Sequence, residues 1–359
     1  MVNPKNSYEL PESFLYIDLE SVKQGILIKK EIIVKETAPS RAQRCLIINE
    51  ILYSCVRPYQ HNNYIFKMNE KVVASTGFAV LRGQPSSTFL YSLIDSKNFE
   101  SKVINRCTGT SYPSINSSNL ASIVINVPSK EEQIKIGNFL DIINARIECQ
   151  NKIINHYESL IKTIIDSKIY SFNNERETLK TYASLRNGYA FKSENYNENG
   201  QYKIVTIGNV TGDQYISDNT NNIDKIPFDI QRHQILKKND ILVSLTGNVG
   251  RVSMVNSDNC LLNQRVGLIQ INNIEFRNYI YVVLSSHIFE REMVNKSQGA
   301  AQLNIGKNDV ENYKMPKPTK TNLEISELIY KYLTKLSIEK RILKLFQDEK
   351  KYLLSNLFI

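Results

Sequence analysis

The stretch PSKEEQIKIGNFLDIINARIECQNKIINHYESLIKTII, from Pro128 to Ile165, decides the fold. Its apolar residues recur at steps of three and four, which places them on one side of a helix. They are Ile136, Phe139, Leu140, Ile143, Ile147, Ile154, Tyr157, Ile161, Ile164 and Ile165. Ser129 and Glu132 have the spacing of a capping box at its start. The pattern predicts a helix of about 40 residues and about 60 Å, too long to be buried in one small domain.

A second stretch with the same period follows Pro318. Its apolar residues are Ile325, Leu328, Ile329, Tyr332, Leu336, Leu343, Phe346, Leu353, Leu354 and Leu357. Thr321 and Glu324 offer the capping-box spacing here. Each one-sided stripe needs a partner, and the other helix is the simplest one, so we expect an antiparallel two-helix coiled coil. The alternative, in which each helix packs on its own domain, stays open.

The chain also repeats itself: similar stretches recur at one constant distance along the sequence. This is the distance from Gly109 to Gly299, which we call the repeat offset. GTSYPSI begins at Gly109 and GAAQLNI at Gly299, and ILYSCVRP at Ile51 is separated from ILVSLTGN at Ile241 by the same distance along the chain. The regions between the helices contain short strand-like runs separated by Gly, Asn, Pro and Ser. These runs are EIIV, CLII, EILYSCV and ASTGFAVL, then YKIVTI, DILVSL, RVSMV and VGLIQI. The sequence therefore predicts two β-rich domains, each followed by a long helix.

Composition narrows the class of protein. The chain has 359 residues, 42% hydrophobic and 23% charged, which is typical of a globular protein. The net charge of +9 is consistent with a polyanionic partner, because cationic side chains release counterions from phosphates. A basic protein without such a partner is the alternative. No apolar run reaches the roughly 18 residues of a membrane span, and the N-terminus lacks a signal-peptide pattern, so we expect a cytoplasmic protein and no membrane partner.

Several kinds of chemistry are missing from the sequence. The five cysteines, Cys45, Cys55, Cys107, Cys149 and Cys260, form no CxxC pair, and the four histidines form no HExxH motif. TGNVGR, from Thr246 to Arg251, lacks the spacing and the lysine of a phosphate-binding loop. Neither a methyltransferase motif nor a GxSxG nucleophile elbow occurs. We therefore predict no catalytic residue, no metal site and no cofactor.

Longer stretches resemble a known family. APSRAQRCLIINEILYSCVRPYQHN (Ala38–Asn62) and ASTGFAVLR (Ala74–Arg82) resemble a target-recognition domain in the specificity (S) subunits of type I restriction-modification enzymes. In the second half, NDILVSLTGNVGRVSMV and LLNQRVGLI resemble another subtype of that domain, and VPSKEEQIKIGNFLD (Val127–Asp141) is similar to the start of the family's spacer helix. The resemblance covers nearly the whole chain.

The resemblance implies an α+β fold: two similar β-rich α/β globular recognition domains separated by two long antiparallel helices forming a coiled coil. We expect the first recognition domain at residues 1–128, the first spacer helix at 129–176, the second domain at 177–318 and the second helix at 319–359. TLKTYASLRNGYAFKSENY (Thr178–Tyr196) resembles the family's entry segment. The first half has no such segment, so we expect its domain either to lack an N-terminal piece or to be built without one.

The resemblance also implies a division of labour. A specificity subunit reads a bipartite double-stranded DNA target, one half with each domain, while the helices set the gap. Two methyltransferase (M) subunits dock on it, and restriction (R) subunits join through that core; the specificity subunit itself is not an enzyme. The alternatives are a stand-alone DNA-binding protein, a scaffold with two β-rich binding domains on a coiled coil, and the recognition component of a type IIB-like system.

Polar loop residues are the candidates for DNA contact, because their donors match purine edges in the major groove. They are Arg41, Arg44, Arg57 and Tyr59 in the first domain, and Arg232, His233, Arg251 and Gln264 in the second. For each of them, a surface role or a phosphate contact is the alternative. The loops Gly109–Ile115, with Tyr112, and Gly299–Ile305, with Gln302 and Asn304, either contact DNA or shape the junction between domain and helix, and we favour the junction.

Overall fold

The structure is a computed structural model that describes residues 1–4, 9–171, 175–297 and 303–357. The chain divides into two compact units. Unit 1 contains Met1–Cys149 together with Leu343–Ile359, and unit 2 contains Gln150–Ile342. Each unit therefore combines one β-rich region with parts of both long helices.

Unit 1 holds nine strands among its described residues. They are β1 (Ser13–Ile17), β2 (Val22–Lys23), β3 (Ile26–Leu27), β4 (Glu31–Val34), β5 (Ala42–Cys45), β6 (Glu50–Ser54), β7 (Tyr64–Ile65), β8 (Val72–Ser75) and β9 (Phe78–Arg82). They form a four-stranded sheet in the order β4-β1-β8-β5, a three-stranded sheet β7-β6-β9 and a small hairpin β2-β3. The helices are α1 (Ser87–Ile94), α2 (Lys97–Ile104), α3 (Ser117–Ala121) and α4 (Lys130–Ile164), of which α4 continues into unit 2.

Strand β6 lies between two apolar clusters of unit 1. Ile51 and Tyr53 pack with Phe89 and Phe99 of the short helices. Leu52, between them in sequence, points the other way and packs with Leu15 of β1 in the neighbouring sheet. This is the period of two that a strand imposes on its side chains, and here both faces are buried. EILYS therefore forms the centre of the unit.

Unit 2 holds ten strands among its described residues. They are β10 (Arg176–Thr178), β11 (Ala183–Asn187), β12 (Tyr202–Val205), β13 (Asn221–Ile223), β14 (Ile235–Leu236), β15 (Ile241–Ser244), β16 (Val252–Met254), β17 (Cys260–Leu262), β18 (Val266–Ile271) and β19 (Lys314–Pro316). The sheets are β13-β12-β17-β14, β11-β18-β15-β16 and β10-β19. The helices are α5 (Arg277–Leu284), α6 (His287–Lys296), α7 (Lys307–Glu311) and α8 (Lys320–Leu357), and the last part of α8 belongs to unit 1.

The predicted repeat is confirmed in the order of the elements. Helices α1, α2, α3 and α4 begin one repeat offset before α5, α6, α7 and α8, respectively. In unit 1 the parallel pair β1 and β8 is flanked by antiparallel β4 and β5, and in unit 2 the parallel pair β12 and β17 is flanked by antiparallel β13 and β14. The two β-rich regions therefore share one topology.

Strand β11, which pairs with β18 at the edge of a sheet in unit 2, has only a short counterpart in unit 1. In unit 2, β11 pairs with β18 over five residues, and it comes from the entry segment Thr178–Tyr196. In unit 1, Val2 forms a bridge with Leu81 of β9. The backbone of Met1 accepts a hydrogen bond from the N–H of Arg82 at 2.9 Å. The first residues of the chain therefore pair at this edge, where the sequence led us to expect a domain that either lacks the entry segment or is built without it.

The long helices pair with each other in antiparallel fashion, as predicted. Within unit 2, Gln150 Nε2 donates to the carbonyl oxygen of Glu339 at 3.1 Å, and the rings of Tyr157 and Tyr332 lie 6.2 Å apart. The contacting positions thus advance along α4 as they retreat along α8. Within unit 1, the guanidinium carbon of Arg146 lies 5.9 Å from the centre of the Phe346 ring. Helices folded down separately on their own domains would not make these contacts.

The caps of the two helices correct one prediction. Ser129 and Glu132 form the predicted capping box, with backbone N–H to side-chain oxygen distances of 3.2 and 3.3 Å. The predicted box at Thr321 is wrong, because Thr319 Oγ1 accepts the N–H of Asn322 at 3.1 Å. Thr319 stands one repeat offset after Ser129, so the repeat gives the cap more reliably than the local spacing does.

Two further sequence patterns were misleading. The run CLII was predicted as a strand, but β5 ends at Cys45, and the following turn is held by a hydrogen bond from the Ile47 N–H to Glu50 Oε2 at 3.0 Å. Phe139 and Leu328 lie in the predicted helix stripes, yet each is 47% exposed. A helix in a two-stranded pair has a narrow contact face, and residues at its margin stay in water.

Candidate nucleic-acid interface

Three segments of unit 1 meet through backbone hydrogen bonds. We call them the first three-loop cluster: the loop Cys55–His61 after β6, the turn Thr76–Gly77 between β8 and β9, and the glycine-led loop Gly109–Ile115. The Cys55 N–H donates to the Gly77 carbonyl at 3.1 Å, and the Ile115 N–H donates to the Cys55 carbonyl at 2.9 Å. The Arg57 N–H donates to the Pro113 carbonyl at 2.8 Å. These bonds fix the three loops on one another.

Unit 2 repeats this arrangement in the second three-loop cluster, which consists of 245–251, 263–265 and 303–305. The Leu245 N–H donates to the Arg265 carbonyl at 3.0 Å, and the Ile305 N–H donates to the Leu245 carbonyl at 2.9 Å. The Gly247 N–H donates to the Leu303 carbonyl at 3.0 Å. Gly299 and Gln302, named from the sequence, lie outside the described residues. In both units the glycine-led loop is tied to the strand that ends beside it.

Arg57, which is half-buried, and Tyr112, which is exposed, contact each other in the first cluster. The guanidinium carbon of Arg57 lies 4.3 Å from the centre of the Tyr112 ring, within the range of a cation–π contact. Arg57 Nε is buried, and no described residue accepts its hydrogen bond. Tyr112 is 67% exposed and Tyr59, on the neighbouring loop, is 44% exposed. The Arg57 cation therefore stacks on an exposed aromatic ring, and a second exposed ring, that of Tyr59, belongs to the same loop as Arg57.

Arg41 and Arg44, at the edge strand β5, adjoin the same cluster. The Arg41 carbonyl accepts the Thr76 N–H at 2.9 Å, which ties β5 to the turn. Arg44 is half-buried, and its Nε has no hydrogen-bond partner among the described residues. Burial raises the pKa of the Cys55 thiol to about 11, and the positive charge of Arg44 opposes this rise. The structure thus brings all four first-domain candidates to one cluster.

His61 is the last residue of the loop Cys55–His61 in the first cluster. It was not among the candidates predicted from the sequence. Its Nδ1 lies 2.8 Å from Asp95 Oδ1, and its Nε2 lies 3.1 Å from Glu100 Oε2 on α2. The hydrogen bond to Asp95, helped by Glu100 and opposed by burial, raises the pKa of His61 to about 9. The imidazolium therefore attaches the loop to the helix at neutral pH. The repeat could have indicated this ion pair in the sequence. His61 stands one repeat offset before Arg251, and Glu100 stands one repeat offset before Glu290.

Arg251 makes the corresponding contact in unit 2. Its Nε lies 3.5 Å from Glu290 Oε1 on α6, and its side chain is 38% exposed. Gln264 is exposed in the turn of the second cluster, as is its neighbour Arg265, which the sequence reasoning did not name. The Gln264 N–H donates to the Tyr189 carbonyl at 2.9 Å. Gln264 and Arg265 are the freer side chains of this cluster, whereas Arg251 is occupied within the domain.

Arg232 and His233 lie in a short 3-10 helix, Arg232–Gln234. His233 Nε2 lies 3.1 Å from the carbonyl oxygen of Asn187, at the end of β11, while Arg232 is exposed. Two residues further along the same segment, the Tyr189 carbonyl accepts the Gln264 N–H. The structure therefore links His233 and Gln264 through the segment after β11, and it leaves Arg232 at the surface beside them.

Metal sites and membrane spans are not found in the part of the chain that the structure describes. No three His, Cys, Asp or Glu side chains there come together as metal ligands would. Within the same residues, no helix combines the length and the apolar character needed to cross a bilayer. Asp18 accepts hydrogen bonds from the N–H groups of Glu20 and Ser21 and shapes a turn.

Comparison with known proteins identifies the family. The family model for the type I restriction modification DNA specificity domain matches residues 5–159 and 175–345. The specificity subunit of the type I restriction enzyme HindI from Haemophilus influenzae is 25% identical over 169 residues, which span 45% of this chain and 37% of that protein. The matched stretch thus covers well under half of the curated relative.

A solved structure agrees in fold. The S subunit of a type I restriction-modification system from M. genitalium has a TM-score of 0.65 and 15% identity, over 96% of this chain and 88% of that one. The HsdS subunit from Thermoanaerobacter tengcongensis gives a TM-score of 0.40 with 19% identity, over 96% and 90% of the two chains. As its own motifs predicted, the chain belongs to the family of type I restriction modification DNA specificity domains, and it carries two copies of that domain.

Proposed function

We propose that the chain is the non-catalytic DNA-specificity subunit of a type I restriction-modification complex. Each three-loop cluster reads one half of a split double-stranded target. The observation that carries the proposal is the pair of clusters, which make the same three backbone hydrogen bonds in both units. One scaffold that occurs twice with different side chains is what two different half-sites require. We retain residues 1–128 and 177–318 as the proposed recognition domains, with helices 129–176 and 319–359.

The side chains of the clusters suit this task. Arginine and glutamine present paired donors or acceptors that match purine edges in the major groove. The first cluster offers Arg57, with Arg41 and Arg44 at the adjoining strand β5, and the second offers Gln264 and Arg265. Since most protein–DNA hydrogen bonds go to phosphate, we assign a share of these cations to the backbone. The net charge of +9 favours association through release of phosphate counterions.

The exposed apolar residues of the long helices suit protein partners. Phe139 and Ile142 of α4 are 47% and 56% exposed, and Leu328 and Ile338 of α8 are 47% and 49% exposed. Apolar side chains clustered on a surface often mark an interface. A chain with an internal repeat can offer similar faces to two copies of one partner. We propose that two M subunits dock on the helices, that R subunits join through the resulting core, and that the complex works in the cytoplasm.

Co-expression with the methyltransferase subunit tests the proposal. The chain should co-purify with it, and sequencing of methylated bases in the host should give a motif of two short halves separated by a fixed gap, with modified adenines on opposite strands. An uninterrupted motif would contradict reading by two domains. Specific DNA binding by the chain alone, without a methyltransferase partner, would favour a stand-alone DNA-binding protein instead.

A further inference from the structure

Arg57 occupies a backbone position that the second unit gives to glycine. Arg57 has φ +48° and ψ +56°, in the left-handed region, and Gly247 has φ +74°. The two residues are separated by the repeat offset and donate equivalent hydrogen bonds, to Pro113 and to Leu303. Glycine adopts positive φ readily, whereas a residue with a Cβ atom does so at a cost in conformational free energy. Unit 1 therefore tolerates strain at this point in order to carry an arginine side chain.

Within the part of the chain that the structure describes, no hydrogen bond of the Arg57 side chain offsets that strain. Its Nε is buried without an acceptor among the described residues, and the contact that its guanidinium makes there is with the face of Tyr112. Stacking holds the plane of a guanidinium and leaves its outer N–H groups free. A strained residue whose donors remain unused inside the fold points to a ligand outside it.

The loop that carries Tyr112 is fixed by backbone hydrogen bonds. The N–H groups of Thr108 and Ser114 each donate to the other residue's carbonyl oxygen at 2.9 Å, which closes the loop that carries Tyr112. Gly109 has φ +88°, and a Cβ atom there would lie 3.0 Å from the Tyr112 carbonyl oxygen, so the turn needs glycine. The ring is 67% exposed and can support the arginine without being buried by it.

We propose that Arg57 is a specificity-determining residue for a guanine in the first half of the target and that Tyr112 is the residue that positions it. The planar fork of an arginine matches the O6 and N7 acceptors of guanine, which adjoin in the major groove. The second cluster has no side chain at this position, because Gly247 stands there, so the second half-site is read without an equivalent contact. This proposal rests on the proposed function and assigns one base contact within it.

The first test measures base preference in the assembled complex with the methyltransferase subunit. Competition binding would use duplexes in which each position of the first half-site carries all four bases in turn. The wild-type complex should prefer guanine at one position roughly tenfold or more, as a bidentate contact predicts. Arg57→Gly, which copies Gly247, should abolish that preference and leave the second half-site unchanged. Thermal unfolding of the variant should match or exceed that of the wild type, because the left-handed strain is relieved.

Further variants separate base reading from charge and positioning. Lys30→Ala removes one exposed cation beside β4, at the opposite edge of the sheet from β5, and should change no base preference. Tyr112→Phe should keep the guanine preference, because only the ring is needed, and Tyr112→Ala should reduce it. An equal loss of affinity for every sequence in Arg57→Gly would mean a phosphate contact and would overturn the assignment, as would an unchanged preference. If the wild-type complex bound no split target at all, the proposed function itself would fail.

Discussion

The loops after β6 and after β15 follow the same backbone path but carry different side chains. In both loops a backbone N–H donates to a carbonyl oxygen of the glycine-led loop. The Arg57 N–H donates to Pro113 at 2.8 Å, and the Gly247 N–H donates to Leu303 at 3.0 Å. In both, a cation further along the loop meets a glutamate of the following helix, through His61 in unit 1 and Arg251 in unit 2. The backbone contacts are thus kept, while the identity of the exposed residues changes.

This difference shows how a duplicated domain can read two unlike half-sites. Backbone hydrogen bonds define the position of each loop and do not depend on which side chains it carries. The loops are therefore free to vary where they face solvent, and variation there alters which bases they match. The strands beneath them keep apolar residues at equivalent positions, since Leu52 and Leu242 are both fully buried.

The largest effect should come from breaking one scaffold and leaving the other intact. Leu52→Ala and Leu242→Ala, at equivalent fully buried positions, should each lower the free energy of unfolding of their own unit by about 2–5 kcal/mol. Hydrogen exchange resolved by peptide should show faster opening in the altered unit. Ile32→Ala is the control, because that side chain is 76% exposed. Faster exchange in both units after either core change would contradict two separate scaffolds.

A change of pH should affect the two loops differently. The pKa of His61 is raised from 6.5 to about 9, so its contribution to stability is complete below pH 6.5 and is lost as pH rises through about 9. The loss should be about 1–3 kcal/mol. Unit 2 has no histidine at the corresponding position, where Arg251 stands, so unit 2 should lack this loss. Hydrogen exchange between pH 6.5 and 9.5, corrected for intrinsic rates, would measure it.

The control for the pH effect is His61→Gln, which should flatten the response of unit 1. Asp95, Glu100 and Lys350 surround the histidine network; the Lys350 ammonium interacts with Asp95, and burial lowers the Lys350 pKa. Because these three residues are present in both proteins, the difference between the two pH responses reports what His61 and its coupling to them add. The account of the loop would be wrong if the variant kept the full pH dependence of the wild type.

The helix caps allow a comparison of intermediate size. Ser129→Ala removes a reciprocal capping box, whereas Thr319→Ala removes a single cap bond. Each should destabilise its helix by about 1 kcal/mol, and Ser129→Ala should have the larger effect. Chemical denaturation would give both values. Thr321→Ala serves as the control, because the structure places the cap at Thr319, and an effect equal to that of Thr319→Ala would restore the original sequence-based assignment.

The smallest effect on stability is expected at Arg251. Its ion pair with Glu290 has a separation of 3.5 Å and a side chain 38% exposed, so Arg251→Ala should change the free energy of unfolding by about 0.5 kcal/mol or less. DNA affinity, measured in the assembled complex, should change little as well if the pair with Glu290 is its main role. A large drop in affinity with unchanged stability would return Arg251 to the set of DNA-contacting residues.

The repeat was the part of the fold that sequence could predict best. The constant offset between Gly109 and Gly299 reflects a duplicated order of elements, so it extended to helices and loops that carried no motif of their own. Local spacing was less reliable. Thr321 and Glu324 had the residue types of a capping box. The helix begins at Lys320, however, and the residue before it, Thr319, provides the cap.

The candidate site could be predicted only in outline. Arg57 was chosen as a polar loop residue, and the region of Tyr112 was favoured as a junction, but nothing in the sequence shows that the two side chains stack. That contact depends on the left-handed backbone of Arg57 and on the bridge between Thr108 and Ser114, which are tertiary features. Arg265 escaped notice for the same reason, since its exposure depends on a turn that the strand pattern does not define.

The most direct test of the central claim alters each cluster in turn and sequences the methylated bases of cells that express the complex. Arg57→Gly changes the first cluster, and Arg265→Ala changes the second. We expect each substitution to relax the motif in one half only, and the two substitutions to affect opposite halves while the gap stays constant. Relaxation of the same half by both substitutions, or of both halves by either one, would contradict the assignment of one half-site to each cluster.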